Sequence, residues 1–296
     1  MCYEQQKRNS IEKLRRNLST NFSERKKERK RRKNTKKLSL RPGCIMKYST
    51  DFKIQPIVDI KSNRVCGGEI LYRPNGRNLT TEILEELDND PFLNLEVAKK
   101  SFLLAMSILT RMQSDVWISI NISPKYMGDG KGFMRALSKE SEDLDRLRRQ
   151  VGKRLKIELT EKCVMEPQQL QFLQYLNNIH DIAIDDFGSG IAPLKNMVEL
   201  PFSKVKVDMD IIKGIDYSET KQRFLKWLVA GCHSIDVSVC AEGIETASQL
   251  MLCKRVGVDE GQGWLWSKAI DIKDFEVMAS PMETAAVSLG QVIETN

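Results

Sequence analysis

Two carboxylates stand side by side in IAIDDFGSG, at Asp185 and Asp186, directly after an apolar run and directly before a glycine-rich turn. Adjacent like charges at the end of a buried strand repel, and burying either one is costly unless a cation shares the site. They are not isolated. Other short apolar runs in the chain also end on a polar group: EILYR carries Glu69 and Arg73, SINIS carries Asn121, and KIELTE carries Glu158, Thr160 and Glu161. KVKVD carries Lys206 and Asp208, CAEGIE carries Glu242 and Glu245, and EGQGW carries Gln262. One carboxylate at a strand end is usually a cap for the next helix, where an anion is favoured. Four to six converging on one pocket cannot all stay ionised without cations. An all-oxygen set with a shared Asp points to Mg²⁺ or Mn²⁺ rather than zinc. The adjacent pair Asp185 and Asp186 could place one carboxylate between two metals and the other on the second metal. Two such ions activate water and stabilise a leaving oxygen in phosphodiester hydrolysis.

The elements that would position these groups alternate along the chain. β-branched runs at 52–60, 64–73, 116–123, 155–161, 182–188, 203–209, 237–245 and 261–268 read as strands. Helix-patterned segments such as PFLNLEVAKKSFLLAMSILTRM, PQQLQFLQYLNNI and SETKQRFLKWLVAGC lie between them. Strand–helix alternation predicts an α/β fold with a sheet covered on both faces, and about eight strands in about 230 residues favour closure into a TIM-like (β/α)8 barrel. In such a barrel the C-terminal strand ends share one mouth, where catalytic groups collect.

Composition narrows the chemistry. The 296 residues contain two histidines, His180 and His233, so a His-rich zinc site is unavailable, and both read as structural. Proton and metal work then falls to carboxylates, amides and lysine. The seven cysteines form no C-x-x-C pair and fit reduced core thiols. No stretch is long and apolar enough to span a bilayer, and the N-terminus lacks a signal-peptide core, so a cytoplasmic location is expected. The net charge of +7 is uneven: the stretch before the first strand carries about 17 Lys and Arg against about 4 Glu, leaving the remainder near −6. Residues 1–46 read as a basic tail, 47–280 as the folded domain and 281–296 as a C-terminal tail. The basic run SERKKERKRRKNTKK is open to three readings: a solvated tail, a contact for nucleic acid or another anionic partner, or a segment not translated if the start is Met46. The Asp-Phe-Gly triplet also occurs in protein kinases, but no Gly-rich nucleotide loop or His-Arg-Asp loop accompanies it here.

Taken in order, the motifs resemble the EAL domain family of cyclic di-GMP phosphodiesterases. The resemblance spans about Lys47 to about Ala279. Glu69-Ile70-Leu71 followed by Arg73 stands at the signature, preceded by Gln55-Pro56-Ile57-Val58. Asn121-Ile122-Ser123-Pro124, Glu158-Leu159-Thr160-Glu161, Asp185-Asp186-Phe187-Gly188-Ser189-Gly190, Lys206-Val207-Asp208, Ala241-Glu242-Gly243-Ile244-Glu245 and Gln262-Gly263-Trp264 follow in the family's order.

The resemblance implies a barrel whose first strand runs antiparallel, and hydrolysis of cyclic di-GMP to linear pGpG with two Mg²⁺ or Mn²⁺ ions. It implies Glu69, Asn121, Glu158 and Asp185 as ligands of one metal. Asp185 and Asp186 serve the second, with Glu242 and Gln262 beside its water shell. Lys206 resembles the group that contacts the attacking water, with Glu242 and Glu69 also catalytic. Arg73 resembles a phosphate contact, Gln55, Asp208 and Gln262 further substrate contacts, and Thr160 with Glu161 anchors for the loop after the double Asp. A homodimer is implied as well. The chain departs from the pattern at Ile70 for the signature Ala, Ile54 for a Tyr, Pro74 for a Trp, Ser203 for an Asp and Ala269 for a Pro. It also departs at Ile191-Ala192-Pro193, where an aromatic and two serines are usual. The alternative to hydrolysis is an EAL protein that only binds cyclic di-GMP or a protein partner.

Overall fold

The computed structural model describes residues 49, 51–112, 114–123, 133–134, 144–160, 167–189 and 202–280. Both tails, Glu161 and the Ile191–Pro193 stretch lie outside the described residues.

Eight strands close into a barrel in sequence order. They are β1 (Phe52–Asp59), β2 (Arg64–Tyr72), β3 (Trp117–Asn121), β4 (Leu155–Thr160), β5 (Asp181–Phe187), β6 (Lys204–Val207), β7 (Ser238–Ala241) and β8 (Glu260–Gly261). β1 is antiparallel to both its neighbours, β2 and β8, and every other pairing is parallel. This single reversal follows from the short β1–β2 connection. Asp59 accepts from the Ser62 amide at 2.6 Å and Asn63 takes a left-handed φ of 54°, closing a hairpin where a parallel partner would need a long crossover.

The helices are α1 (Thr81–Asn89), α2 (Pro91–Arg111), α3 (Leu144–Val151), α4 (Pro167–Asn177), the single turn α5 (Met209–Ile212), α6 (Glu219–His233), α7 (Ala247–Val256) and α8 (Ile272–Met278). Their starts carry the expected caps. Asp90 accepts from the amides of Phe92 and Leu93 ahead of Pro91, and Thr246 and Gln249 form a reciprocal capping box on α7. α2 seals one flank with Phe102, Ala105, Met106, Ile108 and Leu109, all buried. Each such large side chain contributes roughly 1.5–3 kcal/mol from water exclusion.

Period-two alternation sorts the strands' residues. One face of each strand joins an apolar shell under the helices, including Ile118, Ile120, Ile157, Leu159, Ile182, Ile184, Val205, Val207 and Val239. The other faces the barrel interior, where Ile57, Trp117 and Cys240 form a small apolar cluster with Cys66 against them, and Ala183 shares the inward parity. The rest of the interior is polar, in two tiers. In the lower tier Lys204 lies 4.3 Å from the Trp117 ring centre and pairs with Glu260, while Lys156 lies 5.2 Å from the same ring and pairs with Asp181 at 3.0 Å. Gly67 makes room for this tier: a Cβ there would stand 2.3 Å from the indole.

The last two strands are shorter than the sequence suggests. β7 stops at Ala241 and β8 at Gly261, rather than running to 245 and 268. The chain after β8 folds over the one after β7: Ile244 donates to Gln262 O, Leu265 donates to Ile244 O, and a Cβ at Gly263 would lie 2.1 Å from Ile244 O. That approach uses the backbone groups a longer strand would have needed.

Candidate metal centre

Above the Trp117 tier, Lys206 is fully buried and surrounded by four carboxylates. Its Nζ lies 3.1 Å from Glu69, 2.9 Å from Glu158, 3.0 Å from Asp185 and 2.8 Å from Glu242. β2, β4 and β5 supply the first three, β6 the lysine, and the first residue after β7 the fourth. Two amides complete the tier. Asn121 at the end of β3 donates to Glu69 Oε1 at 2.6 Å, and Gln262, just past β8, donates to Glu69 Oε2 at 2.9 Å. Five strands, and the first residues after β7 and β8, thus deliver one polar group each, because each group continues the inward parity of its strand near the C-terminal end.

The electrostatics are unbalanced. Burial pushes the Glu158 carboxyl well above the usual range; Lys206 opposes this, and the charges of Glu69 and Asp185 add to it. Burial likewise raises Asp185, and raises Glu242 to about 8. Glu69 goes the other way: burial disfavours its charge, but Lys206 and the donors on Gln262 and Asn121 outweigh that and lower it. Burial opposes the charge of Lys206 too, yet the four surrounding carboxylates hold its ammonium well above the ordinary lysine range. One ammonium against four carboxylates leaves a buried site short of positive charge.

That deficit and the donor set fit divalent cations. Carboxylate oxygens of Glu69, Glu158 and Asp185 come within 4.8 Å of one another, as do those of Asp185, Asp186 and Glu242. The two triads share Asp185. Glu158 Oε1 and Gln262 Oε1 are buried without a hydrogen-bond partner, which leaves hard oxygen acceptors unsatisfied where a cation would satisfy them. Asp186 is turned away from the strand by a left-handed φ of 55°, while its amide donates to the Asp185 carboxylate. Asp185 belongs to both triads and Asp186 to one, and their carboxylate oxygens remain within 4.8 Å of each other.

The remaining expected residues take various places. Arg73 is half-buried just beyond β2; burial disfavours its charge and the nearby Glu69 partly restores it. Gln55 on β1 makes a long contact with Ser267 O at 3.4 Å, beside the turn that carries Gln262. Asp208 caps α5, accepting from the Asp210 amide at 2.7 Å, so one of its oxygens is engaged locally. Thr160 ends β4 opposite Asp185, and Glu161 lies outside the described residues. Sequence reasoning passed over Lys204, although its position two before Lys206 on one strand puts both on the interior face. It also passed over the Ser49–Asn75 pairing at the mouth, for which 26 residues of separation leave no local signal.

Among the described residues no helix is long and apolar enough to cross a membrane. The sequence model of the EAL domain family matches residues 49–269. The chain is 28% identical over 165 residues to the cyclic di-GMP phosphodiesterase PdeR of Escherichia coli K12, an alignment that covers 54% of this chain and 24% of PdeR. It is 25% identical over 229 residues to the probable cyclic di-GMP phosphodiesterase PdeB of the same strain, covering 75% of this chain and 43% of PdeB. The chain therefore spans less than half the length of either relative. Klebsiella pneumoniae BlrP1, solved as a calcium and cyclic di-GMP complex, superposes with a TM-score of 0.63 at 26% identity, covering 78% of this chain and 58% of that one. A second BlrP1 structure is a manganese and cyclic di-GMP complex.

Proposed function

This chain belongs to the EAL domain family, and on that premise we propose that it hydrolyses cyclic di-GMP to linear pGpG at the Lys206 centre. The observation that carries the reading is the pair of carboxylate triads sharing Asp185. A site built for one ion needs no shared ligand, whereas phosphodiester hydrolysis by two ions does well with one.

Glu69, Asn121, Glu158 and Asp185 would hold one divalent cation, Mg²⁺ or Mn²⁺. Asn121 commits its N–H to Glu69, leaving its carbonyl oxygen as the ligand atom. Asp185, Asp186 and Glu242 would hold the other. When bound, such ions supply water activation and positive charge against the charge that develops on the phosphodiester. The protein's own residues do the rest. Lys206, held charged by its neighbours, donates a hydrogen bond that orients the attacking water. Glu69 and Glu242 fix the ammonium in place. Arg73 engages a phosphate oxygen, the contact for which a planar guanidinium is suited. Gln55, Asp208 and Gln262 hold the nucleotide. Beneath the centre, Lys204 lies over the Trp117 ring at 4.3 Å in the lower tier of the barrel interior.

The test is incubation of the purified chain with cyclic di-GMP and Mn²⁺, with products separated by chromatography and Glu69→Ala as control. pGpG from the wild type and none from the variant is the expected result. No turnover by the wild type overturns hydrolysis, and tight binding without turnover assigns the chain to the binding-only class.

A further inference from the structure

We infer that reciprocal hydrogen bonds between Ser49 and Asn75 position Arg73 for the substrate phosphate, an inference that rests on the phosphodiesterase reading above. Arg73 is the first residue beyond β2, so no strand partner fixes the backbone that follows it. The chain turns there through a short helical turn, Pro74–Gly76, in which Asn75 adopts φ 53°. Asparagine tolerates this left-handed conformation better than most residues, and its side chain then becomes a local hydrogen-bonding tool.

Here that side chain reaches across 26 residues. The Ser49 amide donates to Asn75 Oδ1 at 3.1 Å, and the Asn75 amide donates to Ser49 Oγ at 2.8 Å. Further bonds extend the strap. The Tyr72 hydroxyl donates to Ser49 O at 3.0 Å, the Arg73 amide donates to Asp51 O at 2.8 Å, and Ser49 Oγ donates to Asp51 Oδ2 at 2.5 Å. Tyr72 and Asn75 are each tied to Ser49 and Arg73 to Asp51, while Pro74 between them is buried and has a fixed φ. A large Trp would stand at the Pro74 position in the family's pattern. This chain uses a polar clamp where bulk is absent.

The clamp bears on the guanidinium. Arg73 Nη1 donates to Tyr72 O at 3.0 Å, so its head folds back over a carbonyl whose own residue the strap holds. Arg73 also borders an open cavity of about 540 Å³ with Asp51, Lys53, Leu104 and Asp271, a lining that includes no residue of the Lys206 centre. A free arginine loses much rotamer freedom when it binds, and a backbone held beforehand removes part of that cost and keeps the fork aimed. Ser49 and Asn75 are hydrophilic groups at the rim, outside the apolar core, so their effect on binding is separable from stability.

The experiment is steady-state hydrolysis by the full chain. It compares wild type with Ser49→Ala, Asn75→Gly, Asn75→Asp and Arg73→Ala, and with Asn75→Gly placed in the Arg73→Ala background. Glycine keeps the left-handed backbone and the amide that donates to Ser49 Oγ but removes the Oδ1 acceptor, while Ser49→Ala removes the Oγ acceptor and keeps the other bond. Ser49→Ala and Asn75→Gly should each raise KM roughly three- to tenfold with kcat within about twofold of wild type, and with unchanged melting. Asn75→Asp, which keeps the acceptor, should restore most of the loss. In the Arg73→Ala background Asn75→Gly should add nothing, since the group it positions is gone. A wild-type KM in Asn75→Gly, or an equal rise with and without Arg73, overturns the strap while leaving hydrolysis standing. A wild-type chain that neither binds nor cleaves cyclic di-GMP overturns the parent reading and this one with it.

Discussion

Ile54 and Ile70 stand directly opposite each other in the antiparallel β1–β2 ladder, and both are buried. They occupy two positions where the family's pattern has a tyrosine and an alanine. One departure explains the other: a large–small pair has become a medium–medium pair on one face, where opposed Cβ atoms lie about 4.5–5.5 Å apart. Ile54 also packs over Gly68, whose missing Cβ would lie 2.9 Å from it, next to Phe275. Ile70→Ala should cost about 2–5 kcal/mol through the cavity it leaves. Ile54→Tyr should cost about 1–3 kcal/mol through overpacking. The double variant should lose at least about 1 kcal/mol less than the sum. Urea unfolding of the four proteins measures this, and strict additivity would show that the pair is not compensating.

Because Asp185 serves both triads and Asp186 only one, their substitutions should differ in kind. Titration calorimetry with Mn²⁺ should give two sites in the wild type, one in Asp186→Asn and none of comparable affinity in Asp185→Asn. Chelation should abolish hydrolysis in the wild type and leave its fold intact, because the barrel's apolar shell does not include the centre.

Lys206→Met should remove the one cation that the four carboxylates share. In chelator the variant should be destabilised by about 3–5 kcal/mol, the usual cost of leaving a buried charge unpaired. Saturating Mn²⁺ should recover much of the lost melting temperature, since added cations supply the missing charge, while hydrolysis stays lost. Equal melting of variant and wild type in chelator would contradict this account.

His180 predicts the acid limb of stability. Burial first, and the Arg148 guanidinium after it, hold the imidazole down to about 4 from 6.5. Its Nδ1 bonds to Gly152 O at 2.9 Å, and its Nε2 faces Arg148 Nε at 3.5 Å. The unfolded chain takes up the proton near pH 6.5 and the folded chain only near 4, so the unfolded state binds more protons in between. Stability from this group is therefore full above 6.5 and falls as pH drops toward 4, by about 3 kcal/mol in all. Denaturant midpoints measured from pH 7 to 4 should fall less steeply in His180→Gln.

The barrel, its strand order and most of its centre could be read in the sequence for a simple reason. Each inward group sits at the end of an apolar run, and strand parity is a local property that a sequence displays. Lys206 and Glu158 announce themselves in this way. The ends of β7 and β8 do not, because Gly263 lying against Ile244 is a contact between segments distant in sequence. The φ of Asp186 is also silent, since an Asp-Asp pair looks the same in extended and left-handed backbone. Asp208 reads as a substrate contact, yet half of its carboxylate is occupied in starting α5.

Ser49 lies three residues upstream of the first strand, where a boundary drawn by hydrophobic content would discard it. A chain shortened to begin at Phe52 would retain every barrel strand and every carboxylate of the centre, yet lose the residue that grips the corner beside Arg73. On the proposed function, the segment needed for folding and the segment needed for ligand recognition would begin at different residues.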